Sequence, residues 1–414
     1  YIPIGYSIAN ATTSLDLEGN LNGGGTVATL GTVLESGVLG NDTDGDGAGD
    51  VSADGTTVLT DLTSGVGGGS TDLQIVANDI ISLTATKGGR SITKTYTVTA
   101  ASNVNALMTF MNQSLGIVDA VAPVNAGVAL EGAGDQIFIR GNNGTANGIT
   151  SLTLTNTGTT AVPKNVSFPS FTTTQTANGE SGSTDVVVYD STGIPHTVTF
   201  SFVLDAAAAT GNTWRYYVES AETTDRQVST GNIAFNTSGR LTTGITSTIT
   251  VPTTIPVTFN VGLSSVTDFG SSGSSIALAS QNGFAFGTLD DFSIGQNGKI
   301  TGIFSNGITR DVAQIQLAKF SNPEGLEATD SNNYLATASS GPEKLVLPGG
   351  QTETTNGVTT FVSAGTTVSG ALEASNVDVA QEFTHLIVGQ RAFQANARVI
   401  SVTDAMLQDL LQTI

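Results

Sequence analysis

Short runs in which apolar and polar residues alternate occur along most of the chain and predict β-strands. The clearest runs are 184–189, 197–204 and 313–320, and Gly, Asn, Asp or Pro residues separate them from their neighbours. Such runs, bounded by turn residues, are typical of half-buried strands. A tight turn is predicted at 190–193, because its glycine readily adopts the positive φ that such turns need. The pattern therefore predicts antiparallel sheets joined by hairpins.

One short stretch departs from this pattern and predicts an α-helix. Asn103 is of a type preferred at the N-cap, and apolar side chains follow it at helical spacing. These side chains are Val104, Leu107, Met108, Met111 and Leu115. A single apolar stripe predicts that this helix packs on a sheet.

The C-terminal segment also predicts a helix, and a much longer one. Residues 376–414 contain no proline and a single glycine, Gly389. Ser375, followed three residues later by Asp378, resembles a capping box at the start of this segment. The sequence therefore predicts one helix of about 38 residues, some ten turns in length.

Two apolar stripes run along this predicted helix, and we call them the first and second seams. Both follow alternating steps of four and three residues. The first seam consists of Val379, Phe383, Leu386, Gln390, Phe393, Ala397, Ile400, Asp404, Leu407, Leu411 and Ile414. The second seam consists of Val388, Ala392, Ala395, Val399, Val402 and Met406. Helical residues two positions apart differ by about 200° around the axis, so the seams lie on opposite sides.

A helix that is apolar on two opposite sides needs two partners, because an ordinary surface helix buries one stripe and leaves its other side in water. Either the helix is buried inside a large helical domain, or one seam contacts a helix upstream of this sequence and the other contacts neighbouring subunits. The second interpretation is favoured, because the sequence predicts no other long helix. The small residues Ala392, Ala395 and Ala397 also suit close helix packing.

Charge and composition narrow the class of protein. Only 12% of the 414 residues are charged, and the formal net charge is −21. Because this charge repels phosphate backbones and anionic lipids, we expect neither a nucleic-acid nor a membrane partner. The absence of Cys excludes disulfides and thiolate chemistry. The chain opens without Met or a charged and then apolar leader, which predicts that the natural N-terminus lies upstream and that no signal peptide is present.

Four stretches carry a family resemblance. Residues 370–411 read GALEASNVDVAQEFTHLIVGQRAFQANARVISVTDAMLQDLL, and this stretch resembles the C-terminal signature of bacterial flagellar rod and hook axial proteins. The other three resemble the hook proteins within that family. They are 188–196 (VYDSTGIPH), 282–306 (NGFAFGTLDDFSIGQNGKITGIFSN) and 314–334 (QIQLAKFSNPEGLEATDSNNY).

The resemblance implies a mainly β, multi-domain protein with antiparallel, barrel-like sheets and one long C-terminal α-helix. Its four implied parts are an inner β-domain that lacks its N-terminal portion here, a middle β-domain, an inserted outermost β-rich domain and an inner-tube helix. In that order they comprise 1–15 with 270–364, 16–22 with 165–269, 23–164, and 371–414.

In function, the resemblance implies a structural subunit, not an enzyme, that self-assembles into the helical, tubular flagellar hook, the flexible joint between rod and filament. The implied partners are further copies of the chain and the rod, hook-cap and hook–filament junction proteins. The implied location is the extracellular flagellum, after export without a cleaved signal peptide. Two alternatives remain open: a secreted calcium-binding β-domain adhesin, and the distal flagellar rod protein, which shares the C-terminal signature.

An acidic loop is the one stretch with ligand-like spacing. Asp42, Asp44, Asp46 and Asp50 occupy the first, third, fifth and ninth positions of an EF-hand-type calcium loop, but the twelfth position is Ala53 instead of glutamate. The loop is therefore either a weak calcium site or a solvated acidic turn, and the missing glutamate favours the turn. Apart from this candidate calcium, no cofactor is expected.

Other residues capable of chemistry receive structural interpretations. His196 follows a proline in a predicted turn and is expected to be a polar turn residue. His385, on the C-terminal helix, is expected to form an interface hydrogen bond. Trp214 alternates with Tyr216 and is expected in the core of a strand. No catalytic residue is predicted.

Overall fold

The computed structural model divides the chain into two compact units. The first comprises Tyr1–Asp290 and Ile303–Ile308, and the second comprises Asp291–Gly302 and Thr309–Ile414. The described residues are 6–118, 126–131, 135–159, 161–246, 248–330, 333–355, 358–362, 365–372, 374–375 and 377–412. Strands predominate among them and a long helix ends the chain, so the predicted fold class is confirmed.

The described elements are mostly short strands, with two α-helices. The first are β1 (Ser7–Asn10), β2 (Ser14–Leu21), β3 (Gly31–Ser36), β4 (Leu39–Asn41), β5 (Val51–Ser52), β6 (Leu62–Ser64), β7 (Thr71–Asp72), β8 (Ile80–Lys87), β9 (Arg90–Thr97) and α1 (Val104–Leu115). They are followed by β10 (Gly127–Glu131), β11 (Gln136–Asn143), β12 (Ile149–Gly158), β13 (Pro163–Ser167), β14 (Phe171–Gln175), β15 (Ser181–Tyr189), β16 (Pro195–Ala208), β17 (Gly211–Ser220), β18 (Gln227–Phe235) and β19 (Leu241–Thr243). The last are β20 (Ile249–Val251), β21 (Val257–Asp268), β22 (Ser275–Gln281), β23 (Phe284–Ile294), β24 (Lys299–Phe304), β25 (Thr309–Gln314), β26 (Leu317–Lys319), β27 (Glu327–Ala328), β28 (Tyr334–Leu335), β29 (Lys344–Val346), β30 (Gln351–Thr355), β31 (Val358–Val362) and α2 (Val379–Gln412).

Helix α1 belongs to a hydrophobic core formed by residues 34–168. Asn103 caps the helix, since its Oδ1 accepts a hydrogen bond from the N–H of Ala106 at 3.0 Å. Leu107 and Met111 are fully buried, and the helix packs against β9, β10 and β11. The sheets that contribute to this core have the strand orders β10-β11-β3-β14, β13-β12-β8-β9 and β5-β4-β6-β7. The predicted helix, its cap and its packing on a sheet are confirmed.

A second hydrophobic core lies between two further sheets of the first unit. One sheet is antiparallel with the order β15-β16-β17-β18-β19, and the other has the order β20-β21-β2-β22. Trp214 is fully buried between them beside Phe200 and Phe202. Its Nε1–H donates to Oδ1 of Asp268 at 3.2 Å, which satisfies the one polar atom of the indole. The expected core position of Trp214 is confirmed.

Strand β2 departs from the antiparallel pairing that the sequence predicts. It runs antiparallel to β22 but parallel to β21, with Ser14 opposite Asn260 and Leu21 opposite Asp268. Parallel neighbours need a long connection, and here the connection contains all the elements between β2 and β21. Sequence periodicity could not show this pairing, because it reports which side of a strand is buried and not which strand lies beside it.

A buried cluster of charges joins the two cores. Glu219 on β17 accepts from Nζ of Lys87 on β8 at 2.5 Å and from Nε of Arg226 at 2.8 Å. Nζ of Lys87 also donates to the carbonyl oxygen of Leu115 at 2.7 Å, at the C-terminal end of α1, where the helix dipole favours a cation. Burial lowers the pKa of Lys87, while the charge of Glu219 opposes that shift. All three charged side chains are at most 5% exposed.

The predicted turn at 190–193 is confirmed and is organised by one carboxylate. Oδ1 of Asp190 accepts from the N–H groups of Thr192 and Ile194 at 2.8 and 2.9 Å. Gly193 adopts a φ of 82°, as the turn requires. Burial raises the pKa of Asp190, but the hydrogen bonds from Thr192 and Ile194 outweigh burial and lower the pKa to about 2.

His196 lies in β16, directly after this turn. Its Nδ1 is 2.5 Å from Oε2 of Glu222, and its Nε2 is 3.5 Å from Oδ2 of Asp190. The ring is 9% exposed and connects the turn to the loop that follows β17. The imidazole thus contacts two carboxylates that belong to neighbouring loops. This agrees with the interpretation of His196 as a polar residue of the turn region.

The second unit contains short paired strands before its helix. Strand β26 pairs with β29, β27 with β28, and β30 with β31, each antiparallel. The run 313–320, which the sequence predicts as one strand, is divided between β25 and β26. The division follows from the backbone, since the N–H of Ile315 donates to the carbonyl oxygen of Gly298 whereas β26 pairs with β29.

The two hydrophobic cores of the first unit are formed by different parts of the chain. One uses residues 34–168, and the other uses residues 15–21 and 186–276. The fourfold division into inner, middle and outermost β-domains and a terminal helix stays a prediction.

Replacing Glu219 with Gln is expected to destabilise the first unit by about 3–5 kcal/mol, because the charges of Lys87 and Arg226 then stay buried without a counter-charge. The control is Asp185→Asn in the exposed pair with Arg90, where the loss should be below about 1 kcal/mol. Urea unfolding of wild type and both variants measures these free energies. Equal losses at the two positions would contradict the special role of Glu219.

Titration of Asp190 is expected to weaken the folded state in acid. Because its folded-state pKa of about 2 lies below the ordinary 3.8, the stabilisation is present above roughly pH 4 and is lost as the pH falls towards 2. Asp190→Asn removes this titration, so its urea midpoint should depend less steeply on pH in that window than the wild-type midpoint. Equal slopes for wild type and Asp190→Asn would show that Asp190 has no such role.

Candidate functional site

Helix α2 begins at Val379, later than the sequence predicts. Oδ1 of Asp378 accepts from the N–H groups of Ala380 and Gln381 at 2.9 and 3.3 Å and therefore caps the helix. The predicted capping box with Ser375 as the N-cap is wrong. Both residues are good caps, and the structure uses the one directly before the first apolar residue of the first seam.

The first seam is exposed along the whole described helix. Its large apolar side chains are between 54% and 75% exposed, namely Val379, Phe383, Leu386, Phe393, Ile400, Leu407 and Leu411. Ala397 and the two polar members, Gln390 and Asp404, are also exposed. Residue 414, the last predicted member, lies outside the described residues.

The second seam is exposed to a similar degree. Its larger side chains are between 59% and 69% exposed, namely Val388, Val399, Val402 and Met406. Ala392 and Ala395 are exposed as well. Since 379–412 forms one continuous helix, the two seams run along opposite sides of it, as their spacing predicts.

Both seams wind slowly around the helix. Their steps average 3.5 residues, whereas a straight α-helix has 3.6 residues per turn, so each seam drifts by about 20° per heptad. This is the pattern by which helices coil around one another in a left-handed sense. The small side chains of the second seam suit close approach, and the Phe and Leu residues of the first seam suit insertion between side chains of a partner helix.

Two large, exposed apolar residues on α2 lie outside both seams. Ile387 and Leu410 are 48% and 59% exposed. On the helix, Ile387 lies between the directions of Leu386 and Val388, and Leu410 lies one turn from Met406 on the side of the second seam. Strict steps of four and three missed both residues, whereas a count of apolar residues on each side of the helix would have found them.

Exposed apolar surface on this scale indicates a binding surface. Burying one large apolar side chain completely stabilises a protein by about 1.5–3 kcal/mol, and soluble monomers rarely expose continuous apolar patches of such length. Every described side chain of Val379–Gln412 is exposed. The helix can therefore contribute large free energies of association on two sides. The interface hydrogen bond expected of His385 stays a prediction.

The acidic loop brings together three of the four predicted calcium ligands. Carboxylate oxygens of Asp42, Asp44 and Asp50 lie within 4.8 Å of one another, and Asp46 is not part of this group. Asp46 instead accepts from the N–H of Ala48 at 2.8 Å. Its side chain is thus turned into the loop backbone, which the spacing alone could not show.

The loop satisfies its carboxylates with its own donors. Asp42 accepts from the N–H groups of Gly45 and Gly47 at 2.7 and 2.8 Å. Thr43 donates its N–H to Asp50 at 2.8 Å and its hydroxyl to the same carboxylate oxygen. The hydrogen bond from Gly47 lowers the pKa of Asp42, and those from Thr43 lower the pKa of Asp50. The calcium interpretation stays a prediction.

Among the helices that the structure describes, none is long and apolar enough to cross a membrane.

Two regions of the chain match known protein families. Residues 154–284 match the family described as the flagellar basal body protein FlaE D2 domain. Residues 368–413, which contain all of α2, match the family described as the flagellar basal body rod FlgEFG protein C-terminal region.

Similar proteins share the same description. The flagellar hook protein FlgE of Borreliella burgdorferi is 41% identical over 148 residues, which cover 36% of this chain and 31% of that protein. The FlgE of Escherichia coli K12 is 34% identical over 232 residues, which cover 55% of this chain and 54% of that protein. The matched parts of the chain thus span 31% and 54% of the lengths of these two relatives.

A crystal structure of the Helicobacter pylori flagellar hook protein FlgE2 aligns with 83% of this chain and 75% of that protein, at 15% identity and a TM-score of 0.36. The resemblance to flagellar hook proteins is confirmed: two regions of the chain match flagellar basal-body domain families, and the relatives that are 34% and 41% identical are flagellar hook proteins.

Proposed function

We propose that this chain is a structural subunit of the bacterial flagellar hook, which self-assembles with further copies into a helical tube between rod and filament. The observation that carries this proposal is helix α2, which exposes large apolar side chains on two opposite sides. A head-to-tail contact that does not close into a ring produces a helical filament. One helix with two binding sides supplies such contacts.

In the proposed assembly the two seams have different partners. One seam packs against a helix from the N-terminal part of a longer chain, and the other packs against neighbouring subunits. Burial of residues such as Phe393 and Val399 then supplies the free energy of assembly. The polar Gln390 within the first seam would fix the register of packing, as single polar residues do in coiled coils.

The β-domains are proposed to stack outward from the helices. Their surfaces carry few charges, and contacts without strong ion pairs exchange at low cost as a curved joint rotates. The rod, hook-cap and junction proteins are the proposed neighbours of the polymer, and the extracellular flagellum is its proposed location, reached by export without a cleaved signal peptide. The subunit is proposed to have no enzymatic activity.

The hook is favoured over both alternatives. A distal rod protein shares the C-terminal family match, but the separate match of residues 154–284 and the relatives' descriptions favour a hook protein. A calcium-binding adhesin would account for the acidic loop but gives no reason for two exposed seams on one helix.

For the acidic loop we propose a structural role in place of a calcium site. Asp42 and Asp50 already accept four hydrogen bonds from the loop, and the position of the bidentate glutamate is occupied by Ala53. The carboxylates thus hold the loop without a metal.

Assembly of the full-length protein is expected to weaken when either seam is made polar. Phe393→Gln in the first seam and Val399→Gln in the second should each raise the critical concentration for tube formation by about 10- to 100-fold, because each removes about 1.5–3 kcal/mol of apolar burial. Sedimentation and electron microscopy measure tube formation. Ala405→Gln, which lies between the seams, should have little effect.

Circular dichroism serves as the folding control, since all three positions are exposed on α2 and the variants should unfold like the wild type. Unchanged critical concentrations for both Phe393→Gln and Val399→Gln would contradict the proposed role of the helix.

Calcium is expected to leave the stability of the chain unchanged. A site whose Kd lies 100-fold below the added calcium would stabilise the folded state by about 2.7 kcal/mol. Thermal unfolding in chelator and in millimolar calcium should therefore give the same midpoint. A rise of the midpoint with calcium that disappears in Asp42→Asn and Asp50→Asn would show that the loop is a calcium site after all.

A further inference from the structure

Three side chains that can react with one another meet beneath the loop 73–79. Nζ of Lys164 lies 2.7 Å from Oδ2 of Asp79 and 2.6 Å from the carbonyl oxygen of Gln74. Nδ2 of Asn156 lies 3.1 Å from each of the same two oxygens. The amine of the lysine and the carboxamide of the asparagine therefore share both acceptors and are neighbours in space.

The sheet β13-β12-β8-β9 brings these groups together. Asn156 lies on β12 and Lys164 on β13, its antiparallel neighbour, with Gly158 opposite Pro163. Asp79 directly precedes β8, the other neighbour of β12, where Ile81 is opposite Asn156. The groups thus come from two adjacent strands and from the residue directly before a third, and the backbone hydrogen bonds of the sheet fix their positions.

The cluster is shielded from water and its loop has an uncommon backbone. Asn156 and Asp79 are 0% and 1% exposed, and the side chain of Lys164 is 18% exposed. Gln74 and Asn78 in the adjoining loop have φ of 52° and 73°, which non-glycine residues rarely adopt. Such conformations concentrate at sites where the structure positions groups for chemistry.

A hydrogen bond to its oxygen polarises the carboxamide of Asn156. Its Oδ1 accepts from the N–H of Gly158 at 3.0 Å, and a donor at this oxygen stabilises the negative charge that forms when a nucleophile adds to Cγ. Burial raises the pKa of Asp79, but hydrogen bonds from Lys164, Val76 and Asn156 outweigh burial and hold the pKa below its ordinary value. Asp79 is therefore an ionised base in contact with both nitrogens.

We propose that Lys164 and Asn156 become joined by an isopeptide bond between Nζ of the lysine and Cγ of the asparagine, with Asp79 as the proton carrier. Asp79 takes a proton from the lysine ammonium, and the neutral amine adds to Cγ. The bond from Cγ to Nδ2 then breaks as Asp79 returns the proton to that nitrogen, and Asp79 carries a second proton from the former lysine nitrogen to the departing ammonia. The nitrogen of Asn156 leaves as ammonium, which carries away the positive charge that Lys164 brought, so no oxidant or other reactant is needed.

The other lysine–carboxylate pairs among the described residues lack this combination. Lys87 and Arg226 share Glu219, and Lys299 and Thr301 share Asp311. In neither pair does a carboxamide side chain contact the same carboxylate. Lys299 therefore provides a matched control.

The bond would fasten an edge strand of a chain that has no cysteine. Strand β13 lies at the edge of its sheet, and edge strands detach more readily than central ones because one side of the backbone is unpaired. A covalent link from β13 to β12 prevents this separation. The inference is independent of the proposed hook function, since the bond would form within a single chain.

Intact-mass measurement of the folded, purified chain tests the bond. The wild type is expected to weigh about 17 Da less than its sequence, the mass of one ammonia. Trypsin is expected not to cut after residue 164, since the lysine amine has become an amide. Fragmentation of the uncut peptide should place the deficit between residues 156 and 164. A wild-type mass equal to that of the sequence would overturn the proposal.

Variants identify the reacting groups. Lys164→Arg keeps the charge opposite Asp79 but offers no primary amine, and Asp79→Asn removes the proton carrier, so both should show the full sequence mass. Lys299→Arg should retain the deficit. A deficit that persists in Lys164→Arg arises elsewhere and would also overturn the proposal. Circular dichroism establishes that each variant is folded, and the wild-type mass and peptide map decide the matter even where a variant does not fold.

Discussion

Strand β2 is held between β21 and β22, and the rest of the first unit depends on this pairing. Leu15, Leu17 and Leu21 of β2 are buried in the core that these strands share. A central strand must satisfy its backbone groups on both edges, so the chain that leaves β2 has to return to the same sheet much later. The residues between β2 and β21 can therefore form further elements, provided that the two ends of this segment remain side by side. That condition is the physical basis on which a complete additional core, residues 34–168, is accommodated.

The two cores are joined by charge as well as by chain connectivity. Glu219 contacts two buried cations. Lys87 comes from β8, in a sheet of the first core, and Arg226 comes from the loop that follows β17, in a sheet of the second core. Buried ion pairs contribute modest net stability but allow few alternative geometries, because any other arrangement leaves a charge unpaired. The geometry between the two cores is thus fixed by charge, whereas the apolar contacts proposed for α2 would tolerate small shifts more readily. In the proposed assembly, buried charge pairs would keep the chain rigid while apolar contacts would let its helix adjust.

Sequence periodicity predicted the elements whose partners lie nearby along the chain. Helix α1, the turn at Asp190 and the two seams of α2 all follow from spacing within a few residues. The parallel pairing of β2 with β21, the cluster at Glu219 and the meeting of Lys164 with Asn156 and Asp79 could not be predicted. Each depends on which distant strands become neighbours, and no spacing rule encodes that choice. The misplaced cap at Ser375 has a different cause, since two good capping residues lie within one turn of each other and only the backbone selects between them.

Helix α2 contributes little to the net charge of the chain. Residues 379–412 contain three acidic and two basic residues, so nearly all of the net charge of −21 lies outside the helix. Like charges repel over a distance of about 8 Å at physiological salt, and this repulsion gives colloidal stability to dispersed copies. The apolar surface of α2 is almost neutral and adds little to the repulsion. In the proposed assembly, ionic strength would therefore change the repulsion between copies without altering the apolar contacts along the helix.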